Sequence, residues 1–370
     1  LKILQLSSAQ ALGGGERHLA DLANALAARG HEVHAILRPR SPLIAELTEV
    51  PRANIAALSL RNALDAVSAR KLARYVREHK IQIVHAHMAR DYPLASYAAA
   101  RHPGCKLVLT RHVLFPLNRL HSVTLSQVAR VIAVSEAVAS QLRAQGLIST
   151  DRIVMIPNGI NTDKFALARS PADRQDFRRH HNFPDDCLLI GTVGEITKLK
   201  GHDDFLKAAS IILRRLPQAR FLIAGLDASR SGANQVALER QIAELGLGNQ
   251  VQQVGWIDDL ASLYGALDIF VSASHTESFG LVIAEAMASG TPVVATATAG
   301  ASEIITHEEN GLLVPVGDVE GLAAAQLALL TDIAKSSHLA TSAWERIREH
   351  FSLDRMVEET EKIYREVIDN

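Results

Sequence analysis

Residues 274–294 read SHTESFGLVIAEAMASGTPVV. A polar, loop-like segment passes at Phe279 into an apolar run that ends at Gly290, which predicts a helix over about 279–289, followed by the β-branched strand PVVAT. Glu277 and Glu285 stand eight residues apart. The first falls just outside the predicted helix and the second a little under two turns inside it, so both face one cleft, into which the free amides of Phe279, Gly280 and Leu281 also point. Such a helix start attracts phosphate, and carboxylates accept hydrogen bonds from hydroxyls. The combination suits a ligand with hydroxyls at both ends and phosphate between, a nucleotide sugar. The same letters also fit a buried helix with one N-terminal acid and a solvated Glu285.

The pattern repeats outward in both directions. KILQL, HEVHAIL, IQIVHAH, KLVLTRH, VIAVS and IVMIP read as strands in the first half, with helical periodicity near 15–29, 65–80, 90–101 and 135–145. After a Pro- and charge-rich stretch at 166–186, LLIGTV, RFLIAG, VQQVG, DIFVSA, PVVAT and LLVPV resume the alternation, with helices near 201–215, 234–246, 279–289 and 318–331. Alternating β and α elements imply parallel sheets, so the expected fold class is α/β, two doubly wound Rossmann-like domains in tandem. Ligand then belongs at the carboxyl ends of the strands.

The 370 residues are enough for about two domains, and 48% hydrophobic content supplies two cores. The two cysteines, Cys105 and Cys187, lack metal-ligand spacing and fit a reducing compartment. No apolar run reaches the roughly 18 residues of a membrane span, and LKILQLSS reads as a strand rather than a signal peptide, so a cytoplasmic body is expected. Aromatic content of 4% argues against base-stacking nucleic-acid platforms. The net charge of −1 conceals an asymmetry: residues 1–165 carry 21 Lys+Arg against 11 Asp+Glu, and the remainder 18 against 29. The basic half is suited to an anionic substrate or surface, although solvated helices give the same count. Arg70, Arg74 and Arg77 share one helical face and are read either as a solvated stripe or as a patch for an anionic membrane.

Three further stretches carry chemistry. GGGE at 13–16 follows the first strand and opens a helix, so Gly14 and Gly15 permit close backbone approach to a phosphate or sugar; it is not a dinucleotide fingerprint, because the third glycine is missing. Lys200, at the end of GTVGEITKLKG (191–201), places a point charge beside a helix-opening glycine, as a diphosphate requires. His85 and His87 share one face of a strand end by period 2, and Arg111 and His112 end the next strand likewise. A metal pair at the two histidines lacks further ligands of recognisable spacing, so no metal site is assigned.

The assembled motifs resemble the retaining glycosyltransferases of family 4, whose fold is GT-B. The resemblance runs through GGGER (13–17), HAH (85–87), VSEAV (134–138), IPNGINTDKF (156–165), KG (200–201), ESFGLVIAEAMASGTPVVAT (277–296) and NGLLV (310–314). It implies two Rossmann-like domains facing a central cleft: an acceptor-side domain over 1–168, a linker over 169–186, a donor domain over 187–350 and a C-terminal helix over 351–370 returning to the first domain. It also implies that Glu277 contacts donor-sugar hydroxyls, Glu285 the ribose, His87 the donor sugar and Lys200 the diphosphate. Glu195 departs from the pattern, since the family usually carries an Arg there; repulsion of about 1 to 4 kcal/mol beside a diphosphate would make it turn away or pair with Lys198 or Lys200.

The expected activity is therefore transfer of a hexose-type sugar from a nucleoside diphosphate sugar, UDP first and GDP second, to an acceptor glycan, glycolipid or small molecule with retention. The diphosphate would be met by Lys200, Gly14, Gly15 and the amides of Phe279, Gly280 and Leu281, without a metal or other cofactor, and the protein would work in the cytoplasm or at the inner face of an anionic membrane. Two other functions share the architecture. A nucleotide-sugar 2-epimerase would form product from donor alone, and a non-catalytic nucleotide-sugar sensor would bind without transfer.

Overall fold

The computed structural model describes residues 1–119, 121–166, 170–229 and 231–369. The chain divides into two compact units, Leu1–Gly159 with Leu353–Asn370, and Ile160–Ser352. The boundary expected at 168/169 lies outside the described residues, and the division between units falls earlier, within the IPNGINTDKF stretch.

The first unit begins β1 (Lys2–Ser7), α1 (Gly14–Ala28), β2 (Glu32–Leu37), α2 (Leu43–Glu46), β3 (Ile55–Ala57), α3 (Ala66–Glu78), β4 (Ile83–Ala86) and α4 (Tyr92–Ala99). It continues with β5 (Lys106–Arg111), α5 (His121–Leu125), β6 (Val128–Ala133), α6 (Glu136–Gln145) and β7 (Ile153–Met155). All seven strands are parallel, in the order β3-β2-β1-β4-β5-β6-β7. Strands buried on both faces must be apolar almost throughout, and β1, β2 and β5 each bury five of six residues. The short β3 escapes the sequence pattern because IAA carries neither alternation nor an apolar run.

The second unit runs through α7 (Thr162–Ala166), α8 (Pro171–His180), β8 (Leu188–Val193), α9 (His202–Leu213), β9 (Ala219–Ala224), α10 (Ala233–Glu244) and β10 (Val251–Gly255). α11 (Leu260–Ala266), β11 (Ile269–Ser272), α12 (Leu281–Ala288), β12 (Val293–Thr296), α13 (Ala299–Ile304), β13 (Leu312–Val314), α14 (Val319–Thr331) and α15 (Ile333–His350) complete it. Its six parallel strands follow the order β10-β9-β8-β11-β12-β13. The expected linker is corrected here: most of 169–186 is the helix α8, bound to this unit. The Arg178 guanidinium is buried and donates to the carbonyl oxygens of Ala266 and Cys187, both at 3.0 Å, and to Asp268 at 2.8 Å. Arg174 reaches the other Asp268 oxygen at 2.5 Å. Charge that looked like solvated linker instead satisfies backbone at the amino edge of the sheet.

The chain then returns to the first unit as α16 (Leu353–Asp369). Met356, Val357, Ile363, Tyr364 and Val367 of α16 join Ile3, Leu19, Leu22, Val33, Ile83 and Val108 in one core. At its rim, Arg29 pairs with Asp354 at 2.9 Å and with Glu361 at 3.2 Å. At its centre, the Tyr364 hydroxyl lies 2.6 Å from His85 Nδ1 and Thr110 Oγ1 2.7 Å from His85 Nε2, all fully buried.

Tyr364→Phe removes this hydroxyl while keeping the ring, so it orphans a buried imidazole nitrogen and should cost about 1 to 2 kcal/mol. The unfolding midpoint of the first unit should fall by roughly 2–4 °C for each kcal/mol. Calorimetry with an unchanged midpoint would show that the Tyr364 hydroxyl adds nothing to the hold on α16.

Candidate functional site

In a parallel sheet with right-handed crossovers, adjacent strands whose connections leave in opposite directions open a crevice at their carboxyl ends. The second unit has this reversal between β8 and β11. After β8 the chain makes one 3₁₀ turn, Lys198–Lys200, and enters α9 through Gly201. Gly201 takes φ +65°, and a Cβ there would lie 1.9 Å from the Ala273 carbonyl oxygen. Only glycine lets the β8 loop press against the tip of β11.

That approach brings Lys200 to Glu277. Lys200 Nζ lies 2.5 Å from Glu277 Oε1, and Ser274 Oγ donates to the same oxygen at 2.8 Å. α12 starts at Leu281 rather than near Phe279, because Gly280 occupies the N-cap at φ +104°. The loop before it is clamped from the far side: Gly300 N donates to Glu277 O at 3.1 Å, and a Cβ on Gly300 would come within 2.6 Å of the Phe279 backbone. Glu285 is only 5% exposed and accepts from the Tyr264 hydroxyl at 2.9 Å, which excludes the solvated alternative. Glu195 is exposed, with its carbonyl oxygen fixed by His202 Nε2 at 3.1 Å. Its side chain turns to solvent, and Lys200 pairs with Glu277 instead.

The first unit has the same reversal between β1 and β4. Ser8 N donates to Asp91 at 2.7 Å and Arg90 Nε to Ser8 Oγ at 2.6 Å, which ties the two strand tips together. His87 lies at the end of β4, 6% exposed. Its Nε2 lies 2.8 Å from Gln5 Oε1 and its Nδ1 3.3 Å from His112 Nε2. The rings of His85, His112 and His18 surround it at centroid separations of 4.3, 5.5 and 5.7 Å. Gly14 opens α1 and Gly15 packs on His112, where an added Cβ would sit 3.4 Å from the ring. Glu16 Oε2 accepts from Gly13 N at 3.0 Å, so a carboxylate already meets the first amide of this loop.

Lys200 and Glu277 are thus joined in one unit, where Phe279, Gly280 and Leu281 lead into the helix bearing Glu285; His87, Gly14 and Gly15 belong to the other. Four polar partners went unread in the sequence: Gln5, His18, Ser274 and Tyr264. Ser274 carried a local signal, three residues before Glu277 at a strand end. The others meet their partners across folds of the chain, Gln5 from 82 residues away.

Burial lowers the whole imidazole group. It pushes His18 down to about 4 and His85 to about 3, and His87 and His112 fall well below the usual range, with mutual repulsion adding to the effect. Burial pushes the Asp91 carboxyl up to about 6. All four rings are neutral at pH 7 and meet a ligand as hydrogen-bonding groups, not as cations.

Comparison with known proteins agrees with this layout. Residues 12–164 match the family described as Glycosyltransferase Family 4 and residues 173–346 the family described as Glycosyl transferases group 1. The chain is 33% identical over 238 residues to an uncharacterized glycosyltransferase of Methanocaldococcus jannaschii, a match spanning 64% of this chain and 60% of that protein. It is 26% identical over 366 residues to the N-acetyl-alpha-D-glucosaminyl L-malate synthase of Bacillus anthracis, covering 94% and 92% of the two chains. The fold is that of Anabaena HepE, solved in complex with UDP and glucose, at a TM-score of 0.86 and 23% identity, over 98% of both chains.

The histidine cluster sets a pH dependence. A ring held neutral in the fold but free to protonate near pH 6.5 when unfolded makes the unfolded state bind more protons, so stability falls as pH drops from about 6.5 toward the folded values. Each contributes a slope of up to about 1.4 kcal/mol per pH unit. Asp91, raised in the fold, works in the opposite sense between about 3.8 and 6 and offsets one of the four. Urea unfolding at pH 7.5, 6 and 5 should show the first unit losing stability over this window; a flat profile would mean that the rings are not neutral and buried.

Proposed function

Because the chain belongs to glycosyltransferase family 4, we propose that it transfers a hexose-type sugar from a nucleoside diphosphate sugar to a hydroxyl acceptor with retention of anomeric configuration. UDP is the first expectation for the donor, GDP the second. The observation that carries the reading is the group of Lys200, Glu277 and Ser274 at the β8–β11 reversal, one short loop from the start of α12. A cation and a helix start together suit a leaving diphosphate, and the carboxylate suits sugar hydroxyls. The complex of Anabaena HepE with UDP and glucose supports the choice of donor class.

In this mechanism the bond from the anomeric carbon to the diphosphate oxygen breaks while the acceptor oxygen attacks the same face, and the acceptor proton passes to the leaving phosphate. Lys200, the α12 amides and the Gly14–Gly15 loop oppose the developing charge; no step needs a metal. His87 orients the sugar as a neutral donor or acceptor. Glu285, which accepts from the Tyr264 hydroxyl, serves the ribose.

The ion pair adds a coupling. Without donor, Glu277 satisfies Lys200; when a diphosphate takes the ammonium, the Glu277 carboxylate is released to the sugar. For the acceptor, the anionic class is favoured by the basic balance of residues 1–165 and by exposed Arg70, Arg74 and Arg77 on α3, opposite its buried Leu72 and Val76. The malate named for the Bacillus anthracis relative is an acceptor of that charge. A membrane-borne acceptor in cell-envelope glycan or glycolipid synthesis would use the same face.

Glu277→Gln should raise nucleoside diphosphate affinity about fivefold, the equivalent of about 1 kcal/mol for a partly buried pair, while depressing turnover. Lys200→Ala should weaken the diphosphate far more than the nucleoside. Calorimetry with UDP and GDP tests both, and unchanged affinity in the two variants would remove the pair from the donor site. Incubation with a donor panel, with product configuration read by NMR and EDTA in a parallel reaction, tests the transfer itself. Inverted product, or activity lost to EDTA and restored by magnesium, would refute the mechanism. Co-sedimentation with anionic vesicles at low salt should weaken in the triple Arg70, Arg74, Arg77→Glu variant; binding equal to wild type would leave α3 a solvated face.

A further inference from the structure

The imidazoles at the β1–β4 reversal carry more than orientation of a sugar. One ring nitrogen from each of His18, His87 and His112 falls within a group whose members all lie within 4.8 Å of one another. With the Gln5 oxygen as its acceptor, His87 Nε2 carries the proton, so the lone pair of Nδ1 faces His112 Nε2 at 3.3 Å. Two nitrogens bound to one tetrahedral ion at 2.0–2.1 Å are separated by about 3.3 Å.

The hydrogen-bond inventory points the same way. Among the described residues neither nitrogen of His18 makes a hydrogen bond of good geometry, although the residue is 5% exposed and only the Asn158 side chain acts on it as a weak partner. A buried imidazole without partners forfeits its hydration, and a concentration of such groups in one place calls for a ligand. Neutral imidazole is the preferred ligand of zinc-like ions, and the Gln5 contact to His87 is of the kind that orients a metal-binding ring.

We propose that His18, His87 and His112 form a site for one divalent transition-metal ion of the zinc class, and that its occupancy keeps the sugar from His87. The first half stands apart from the transfer reaction; the second rests on the reading of His87 as the sugar-orienting residue. The ion would leave a fourth position open to solvent or to a ligand, and its role would be inhibitory, since the transfer itself uses His87 metal-free.

The test is calorimetric titration of chelator-stripped full-length protein with zinc chloride, with no nucleotide present, so that the result is independent of any glycosyl transfer. One ion should bind per chain, and His18→Ala and His112→Gln should each weaken it by at least about tenfold, whereas His275→Ala, which breaks the separate group of Asp203, Asp204 and His275, should not. Cobalt in place of zinc should give the strong visible bands of a tetrahedral site, lost in the His18 and His112 variants; circular dichroism confirms that both are folded, and if one is not, the other decides. Absence of saturable binding, or binding lost in His275→Ala and kept in His18→Ala, would overturn the site. For the second half, zinc should inhibit sugar transfer by wild type and much less by His18→Ala; equal inhibition of both would overturn the exclusion of sugar.

Discussion

Handedness governs this molecule. Each parallel strand must return through a right-handed crossover, so a sheet that grows outward in both directions from its first strand has one place where neighbouring connections part. In the two units those places are β1 beside β4 and β8 beside β11. The loops at the strand ends there place side chains opposite one another. Polar groups gather at these places: Gln5, His85 and His87 in one unit, Ser272, Ser274 and Glu277 in the other. The cost of drying these groups is met by pairing them, His85 with Tyr364 and Thr110, Glu277 with Lys200 and Ser274.

The two reversals solve the burial problem differently. In the second unit the opposite charges of Lys200 and Glu277 neutralise each other. In the first unit the groups remain neutral, because four neighbouring imidazoles cannot all hold protons in a dry setting. One reversal centres on an ion pair; the other centres on neutral imidazoles, with Arg90 and Asp91 tying its strand tips.

Much of this was legible beforehand, for local reasons. Strands such as KLVLTR announce themselves because burial on both faces demands unbroken apolar sequence. Lys200 and Glu277 could be found because the first sits beside, and the second three residues before, a glycine that a strand-to-helix turn requires. What escaped was tertiary. The stretch RQDFRR reads as linker by composition, yet Arg178 spends its charge on carbonyl oxygens 9 and 88 residues away. His18 lies in the second turn of a helix with no mark to distinguish it, and only folding brings it to His87 and His112. Glu195 shows the converse: the position carries a family expectation, but in the fold its side chain is exposed to solvent.

The placement of α16 also sets an order of events during synthesis. The core of the first unit includes Met356, Val357, Tyr364 and Val367, so residues 1–159 cannot close that core when they leave the ribosome. Roughly 190 residues of the second unit intervene, which at 5–20 residues per second is about 10 to 40 s of elongation. Throughout that interval the face formed by Ile3, Leu19, Val33 and Val108 lacks its cover, and His85 lacks the Tyr364 hydroxyl. The second unit, contiguous from Ile160 to Ser352, suffers no such delay and reaches its fold first. Translation therefore completes the two halves in the reverse of their order along the chain, with the earlier half waiting as an open, adhesive intermediate.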